Sequence, residues 1–364
     1  MSIETVPRFQ WLRRILASVT VALLLLPASP AGSASPERGA AAAAVARVAA
    51  MAAAMETQTF HERDLLATPG VVAVGLGDGR AGGELELHVY RTDGDRALSD
   101  GLPALVGGLP VRVFRTNAFR ALDGPPGFSH RQSFALPVPM GVSTGNNNGC
   151  SAGTLGFRVV RISDGVPGYV TAAHIASAGT SQFCPNAAKV GEPQFQPGLL
   201  DGSCAAGSPP IGRLGRTTRV AMSTDASNRV DASFVKSRRS WVDKYILDIG
   251  DPSPAIASPI IGETVQKSGR TTGLTQGTVV STNVTLLVGY GVCGVAKFLR
   301  QIIVAGTAFV QPGDSGAALL SLRKDRSGRY RPIGLIFAGS DQFAAANPIR
   351  DVMAALGTAI DTAD

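Results

Sequence analysis

FVQPGDSGAALL, residues 309–320, places an apolar run on either side of Gly313-Asp314-Ser315-Gly316. Gly, Asp and Ser are common turn formers, so taken alone the stretch is a loop between two strands. Two glycines around one hydroxyl add something, because they let the backbone approach another group closely with Ser315 at the centre. A serine hydroxyl is a poor nucleophile at neutral pH unless an imidazole takes its proton and a carboxylate fixes the tautomer of that ring. The turn gains a chemical meaning only if the chain supplies both partners.

Working outward, the surroundings are those of a β protein. From Gly141 to about residue 340 short apolar runs (TLGFRVV, GYVTAAHIA, VDASFV, GTVVS, VTLLVGYGV, RQIIVA, RPIGLIFAG) alternate with Gly, Ser, Pro and Asn, and a short helix is expected from about Ile349 to Leu356. With 43 glycines, 23 prolines, 45% apolar and 17% charged residues, the chain has enough apolar content for well-buried cores in a mainly β sandwich or barrel. Residues 60–125 look like a small α/β module, with VVAVGLG, ELELHVY and LPVRVFRT as strands. Gly75-Leu76-Gly77-Asp78-Gly79 is expected as a hairpin turn, since no helix follows to aim its N-terminus at a phosphate. Asp93, Asp95 and Asp100 lack a closing glutamate and are expected in a solvated loop, not a calcium site. Ala-rich residues 35–58 are expected as a helical leader, and Pro-rich residues 126–140 as an extended linker before the main domain, 141–358.

Residues 1–34 carry a positive region ending at Arg14, an apolar run Ile15 to Leu26, and then small residues, the layout of a secretory signal peptide. Arg13-Arg14 sits in a poor match to a twin-arginine signal. The implied location is secreted or periplasmic, with no membrane association after signal cleavage. In an oxidising compartment Cys150, Cys184, Cys204 and Cys293, which lack C-x-x-C spacing, point to two disulfides and not a metal site. Three pairings are open; Cys184 with Cys204 would close a short loop and leave Cys150 with Cys293. Beyond the leader the net charge is about +5 and is spread without basic runs or interleaved aromatics, which argues against a nucleic-acid partner.

Of four histidines, His61, His88 and His130 precede or lie within the linker, leaving His174 in the β body at the end of GYVTAAHIA. For the acid, Asp231 interrupts the strand-like NRVDASFV, where a carboxylate needs a partner such as an imidazole N–H. Asp225, Asp243 and Asp248 have more polar, loop-like surroundings. TAAHIA, NRVDASFV and QPGDSGAAL, in the order His, Asp, Ser, together resemble the trypsin and chymotrypsin-like serine peptidases. SGRTTGLTQGTV, FQPGLLDGS, RPIGLIFAGS and ANPIRDVMAAL resemble more closely a bacterial, secreted branch carrying a small N-terminal module.

That resemblance covers roughly residues 66–358 and implies a chymotrypsin-like double β-barrel and a secreted serine endopeptidase that needs no cofactor. It makes Ser315 the nucleophile, His174 the general base and Asp231 the orienting acid, with the backbone N–H groups of Gly313 and Ser315 as the oxyanion hole. It places Phe309, Phe337 and Gly339 by the substrate pocket, so that an acidic floor selecting Lys or Arg is not indicated. Ala317 stands where the family usually has Gly or Ser, and Phe337 where a serine often supports the triad acid. The implied partner is a protein or peptide substrate. A catalytically inactive binding protein of the same fold is the alternative, and the N-terminal module could instead be a folding helper or inhibitor that the peptidase leaves behind.

Overall fold

The computed structural model describes residues 36–79, 84–92, 101–121, 129–179, 184–206 and 209–364. The signal-like segment 1–34, the Asp93, Asp95 and Asp100 loop and the first part of the linker lie outside the described residues. The chain divides into two compact units, 1–56 and 57–364. The Ala-rich stretch belongs to a helix, Pro36–Ala67, which runs past the expected leader and stops before Pro69 and Gly70 (φ +83°).

Two β-barrels dominate the second unit, making the fold mainly β, as the pattern of short apolar runs implies. One contains the strands Ser143–Asn146, Arg158–Arg161, Pro167–Thr171, Pro193–Phe195, Gly212–Thr217 and Ser233–Lys236. Backbone bonds through residues 155–157 close it: Leu155 N–H to Val142 C=O (2.9 Å), Gly156 N–H to Val170 C=O (2.8 Å) and Val170 N–H to Phe157 C=O (2.9 Å). Phe157, Val159, Tyr169, Val170, Phe234 and Val235 are among the side chains that fill it, all fully buried.

The other barrel runs, in spatial order, Thr264–Gly269, Ala318–Lys324, Tyr330–Gly339, Phe343–Pro348, Val295–Ala305 and Gly273–Gly289, the last pairing back onto the first. Closure leaves the ring itself no free edge. Val265, Val279, Ile302, Val304, Leu319 and Ile336 fill its core. The expected terminal helix is present at Ile349–Leu356, burying Ile349, Val352, Met353 and Leu356.

The sequence separates residues 60–125 from the barrel strands, but the sheet joins them. Val71–Asp78 pairs antiparallel with Gly273–Gly289, and Leu85–Arg91 and Leu109–Arg115 continue outward from it. Gly75 and Gly77 lie inside the first of these strands, not in a turn, and both are glycine for want of room. A Cβ at Gly75 would come within 2.4 Å of Val284 Cγ2, and one at Gly77 would overlap the His88 ring. Polar bridges tie the last turns of the preceding helix and the strand Leu85–Arg91 to Gly273–Gly289: Gln58 Nε2 donates to Asn283 C=O (2.7 Å), Thr285 Oγ1 donates to Glu62 (2.8 Å), and His88 Nδ1 lies 2.8 Å from Ser281 Oγ.

Candidate active site

The strand Pro167–Thr171 ends at Ala172, still extended (φ −66°, ψ 145°), and turns at once into a single helical turn, Ala173–Ala176. His174 is thereby buried at the base of that turn. Its Nδ1 lies 2.7 Å from Asp231 Oδ2, and its backbone N–H donates to Asp231 Oδ1 at 3.1 Å. A carboxylate that accepts at Nδ1 selects the tautomer with the proton there and leaves Nε2 as a base. Among the described residues His174 Nε2 is buried and has no hydrogen-bond partner.

Asp231, just before the strand Ser233–Lys236, is fully buried, and its backbone N–H donates to Asn347 Oδ1 (2.7 Å). Burial alone would raise its pKa, but the charge of His174 and the hydrogen bonds from His174 and Tyr290 hold the carboxyl below the usual carboxylate range. The Asp225 backbone N–H donates to Ser223 Oγ (3.1 Å), Asp243 Oδ1 accepts from the Tyr245 N–H (3.2 Å), and Asp248 pairs with His130 Nε2 (2.9 Å).

Tyr290 was not legible as a site residue. Its hydroxyl donates to Asp231 Oδ2 at 2.6 Å, and its ring packs edge-on against His174 with centroids 5.8 Å apart. Burial and then the Asp231 charge push its phenol well above the ordinary value, so it stays a donor. It is thus a second side-chain donor, after the His174 ring, to the Asp231 carboxylate. The signal in the sequence was a tyrosine leaving an apolar strand for a glycine turn, VTLLVGYGVC, because a buried phenol needs a partner.

Ser315, from the other barrel, sits on the Gly-Asp-Ser-Gly turn just before the strand Ala318–Lys324. Asp314 anchors the turn, accepting from the N–H groups of Gln311 (2.9 Å), Thr271 (2.8 Å) and Thr272 (3.2 Å), and lying 3.7 Å from Lys267 Nζ. Lys267 is fully buried; burial lowers its pKa while Asp314 draws it back up.

Both glycines of the turn have positive φ, +103° at Gly313 and +94° at Gly316. A side chain at Gly313 would collide with Thr271 and Arg270, and one at Gly316 with Thr171 and Thr154. The Pro312 carbonyl is held by Thr271 Oγ1 (2.6 Å), so the trans peptide directs the Gly313 N–H away from that hydroxyl. Thr154, from the first barrel, donates its N–H to Ser315 C=O (2.8 Å) and its Oγ1 to Gly313 C=O (2.9 Å). Ser315 Oγ donates to Phe337 C=O at 3.2 Å.

Of the pocket residues, Gly339 lines a cleft of about 800 Å³ with Val310, Gln311, Pro312 and Asp341. Phe309 and Phe337 are buried in apolar clusters, the first under the Lys267 ammonium (5.8 Å to the ring centroid), the second against Phe298 (4.8 Å). No cluster of metal-ligating side chains occurs among the described residues.

The four cysteines form two disulfides, but as Cys150–Cys204 and Cys184–Cys293, not the short-loop pairing. Pro193–Phe195, lying between Cys184 and Cys204, pairs with Ser143–Asn146 and carries Cys204 toward Cys150. Asn186, two residues after Cys184, is bonded to Val220 in the cluster that also includes Tyr290 and Cys293.

Residues 245–347 match the model of the Nal1 C-terminal domain. No curated protein matches the chain. Solved structures with a similar chain path include Thermobifida fusca Protease A, with 19% identity over 62% of this chain and 99% of that one and a TM-score of 0.42. Nocardiopsis protease gives the same four figures, and the Cellulomonas bogoriensis chymotrypsin has 20% identity over 58% of this chain and 91% of that one, at a TM-score of 0.37. At these TM-scores none of them assigns a reaction to this chain.

Proposed function

We propose that the protein is a serine endopeptidase that works through an acyl-enzyme. The observation that carries this is the His174–Asp231 pair, 2.7 Å apart and fully buried, with Nε2 left without a hydrogen-bond partner among the described residues. In the reaction Ser315 Oγ passes its proton to His174 Nε2 and attacks the substrate carbonyl. Asp231, itself held by Tyr290 and the His174 N–H, stabilises the imidazolium, and the N–H groups of Gly313 and Ser315 receive the oxyanion. His174 then protonates the leaving amine, and a water activated by the same nitrogen releases the acyl group. Two disulfides favour an extracytoplasmic site of action, in keeping with the signal-like N-terminus.

Fluorophosphonate labelling tests the reading. The secreted protein is expected to label at one serine, and Ser315→Ala to remove the label while keeping the melting temperature. A folded parent that never labels would instead support the non-catalytic binding protein.

A further inference from the structure

The edge of the strand Tyr330–Gly339 nearest the nucleophile is already occupied. Arg120 pairs with Gly339 and Ala121 with Ala338, antiparallel, so the pairing advances toward Phe337 as the chain runs forward. Phe337 is the residue whose carbonyl holds Ser315 Oγ. On its other side the short strand Arg120–Ala121 lies parallel to the end of Gly273–Gly289, where the Gly289 N–H donates to Phe119 C=O at 3.1 Å. Backbone groups alternate in direction along a strand, so with Phe119 C=O turned to Gly289 the N–H and C=O of Arg120 face Gly339.

Each side chain has a distinct setting. Phe119 is 1% exposed in the cluster containing Tyr90, Tyr290 and Phe337, with its ring edge-on to Tyr90 (centroids 6.2 Å). Arg120 is exposed at the cleft lined by Gln311, Pro312 and Gly339, and Ala121 is small where the strand passes Ala338. An extended peptide presents a carbonyl to a nucleophile by adding to a free strand edge beside it, with backbone bonds for affinity and alternate pockets for specificity.

We propose that Phe119–Ala121 is a built-in occupant of the peptide-docking edge, held in the direction and register of a substrate approaching Ser315. The proposal rests on the peptidase reading and deepens it. The edge takes an extended peptide with a large apolar residue in the Phe119 position, any exposed residue opposite Gly339 and a small one opposite Ala338. Because the occupant is part of the same chain, it competes at an effective concentration in the millimolar range, and free substrate binds only to the fraction in which the edge is vacated.

The test uses the parent chain, Arg120→Pro and Arg120→Ala. Arg120 is exposed; proline removes the N–H that faces Gly339, whereas alanine keeps it. Substrates are acetyl-Phe-Arg-Ala-X-aminomethylcoumarin peptides with X varied. Arg120→Pro is expected to raise kcat/KM about tenfold, the effect of one or two backbone hydrogen bonds, with Arg120→Ala close to the parent. Hydrogen exchange reads the occupancy without any catalysis: the Gly339 amide should exchange slowly in the parent and in Arg120→Ala, and quickly in Arg120→Pro. Fast exchange at Gly339 in the parent, or a folded Arg120→Pro with unchanged exchange and unchanged kcat/KM, overturns the proposal. Slow parental exchange in a protein that does not label with fluorophosphonate keeps the occupant and removes the peptidase.

Discussion

The Asp231 carboxylate is where the chemistry is most exposed to a single change. It is fully buried and accepts from the His174 ring, the His174 N–H and the Tyr290 hydroxyl, so its charge is balanced by specific donors and not by solvent. Asp231→Asn presents an amide to Nδ1 and favours the wrong tautomer; turnover should fall about 10⁴-fold with the fold retained, as in the general triad template. The corresponding changes at Asp225, Asp243 and Asp248 should each leave turnover within about threefold, since surface substitutions of this kind perturb little. Tyr290→Phe removes one donor to a charged acceptor, worth about 1.5–3 kcal/mol, so kcat should drop at least about tenfold with KM little changed. A Tyr290→Phe chain with parental kcat would reduce that tyrosine to packing. Stability also depends on this carboxylate: its folded pKa is depressed, so its contribution is complete above about pH 4 and is lost as pH falls further.

Among the elements, Leu85–Arg91 reaches past its neighbour Val71–Asp78 to the Gly273–Gly289 strand through two side chains, one of them a histidine. His88 and Tyr90 both meet Ser281 Oγ, at 2.8 and 2.5 Å. Burial, then the Arg112 charge, lowers the His88 pKa to about 4, although Glu86 Oε2 lies 3.8 Å from Nε2. The folded pKa lies below the unfolded value of about 6.5, so the unfolded chain takes the proton first. The melting temperature should therefore fall as pH drops from about 6.5 to 4, a window above that of Asp231. His88→Gln should flatten that part of the curve, and an unchanged slope would show that His88 is not the titrating group. The strands themselves were legible from their apolar runs, as was the terminal helix at Ile349–Leu356. The placement of Gly75 and Gly77 was not, because glycine marks a turn locally, whereas here it makes room for Val284 and His88.

At the scale of the molecule, two barrels supply the candidate site and two disulfides brace the first of them and its junction with the second. Cys184–Cys293 links the segment following His174 to the turn after Tyr290, closing 109 residues, and Cys150–Cys204 closes 54. On the chain-entropy model these are worth about 5 and about 4 kcal/mol. Urea unfolding should show a midpoint lowered for Cys184→Ser/Cys293→Ser and for Cys150→Ser/Cys204→Ser, with turnover reduced more by the first pair because it loosens the turn bearing Tyr290. By itself the sequence determined the mainly β pattern, the presence of two disulfides and the His, Asp, Ser order, since alternation, composition and motif are written in short windows. Only the tertiary structure decided the cysteine partners, the support of Asp231 by Tyr290, the anchoring of Asp314 by Lys267 and Thr271, and the addition of the N-terminal strands to the second barrel. Each of those joins residues that are distant along the chain, and barrel closure brings them together where no local preference could name the partner.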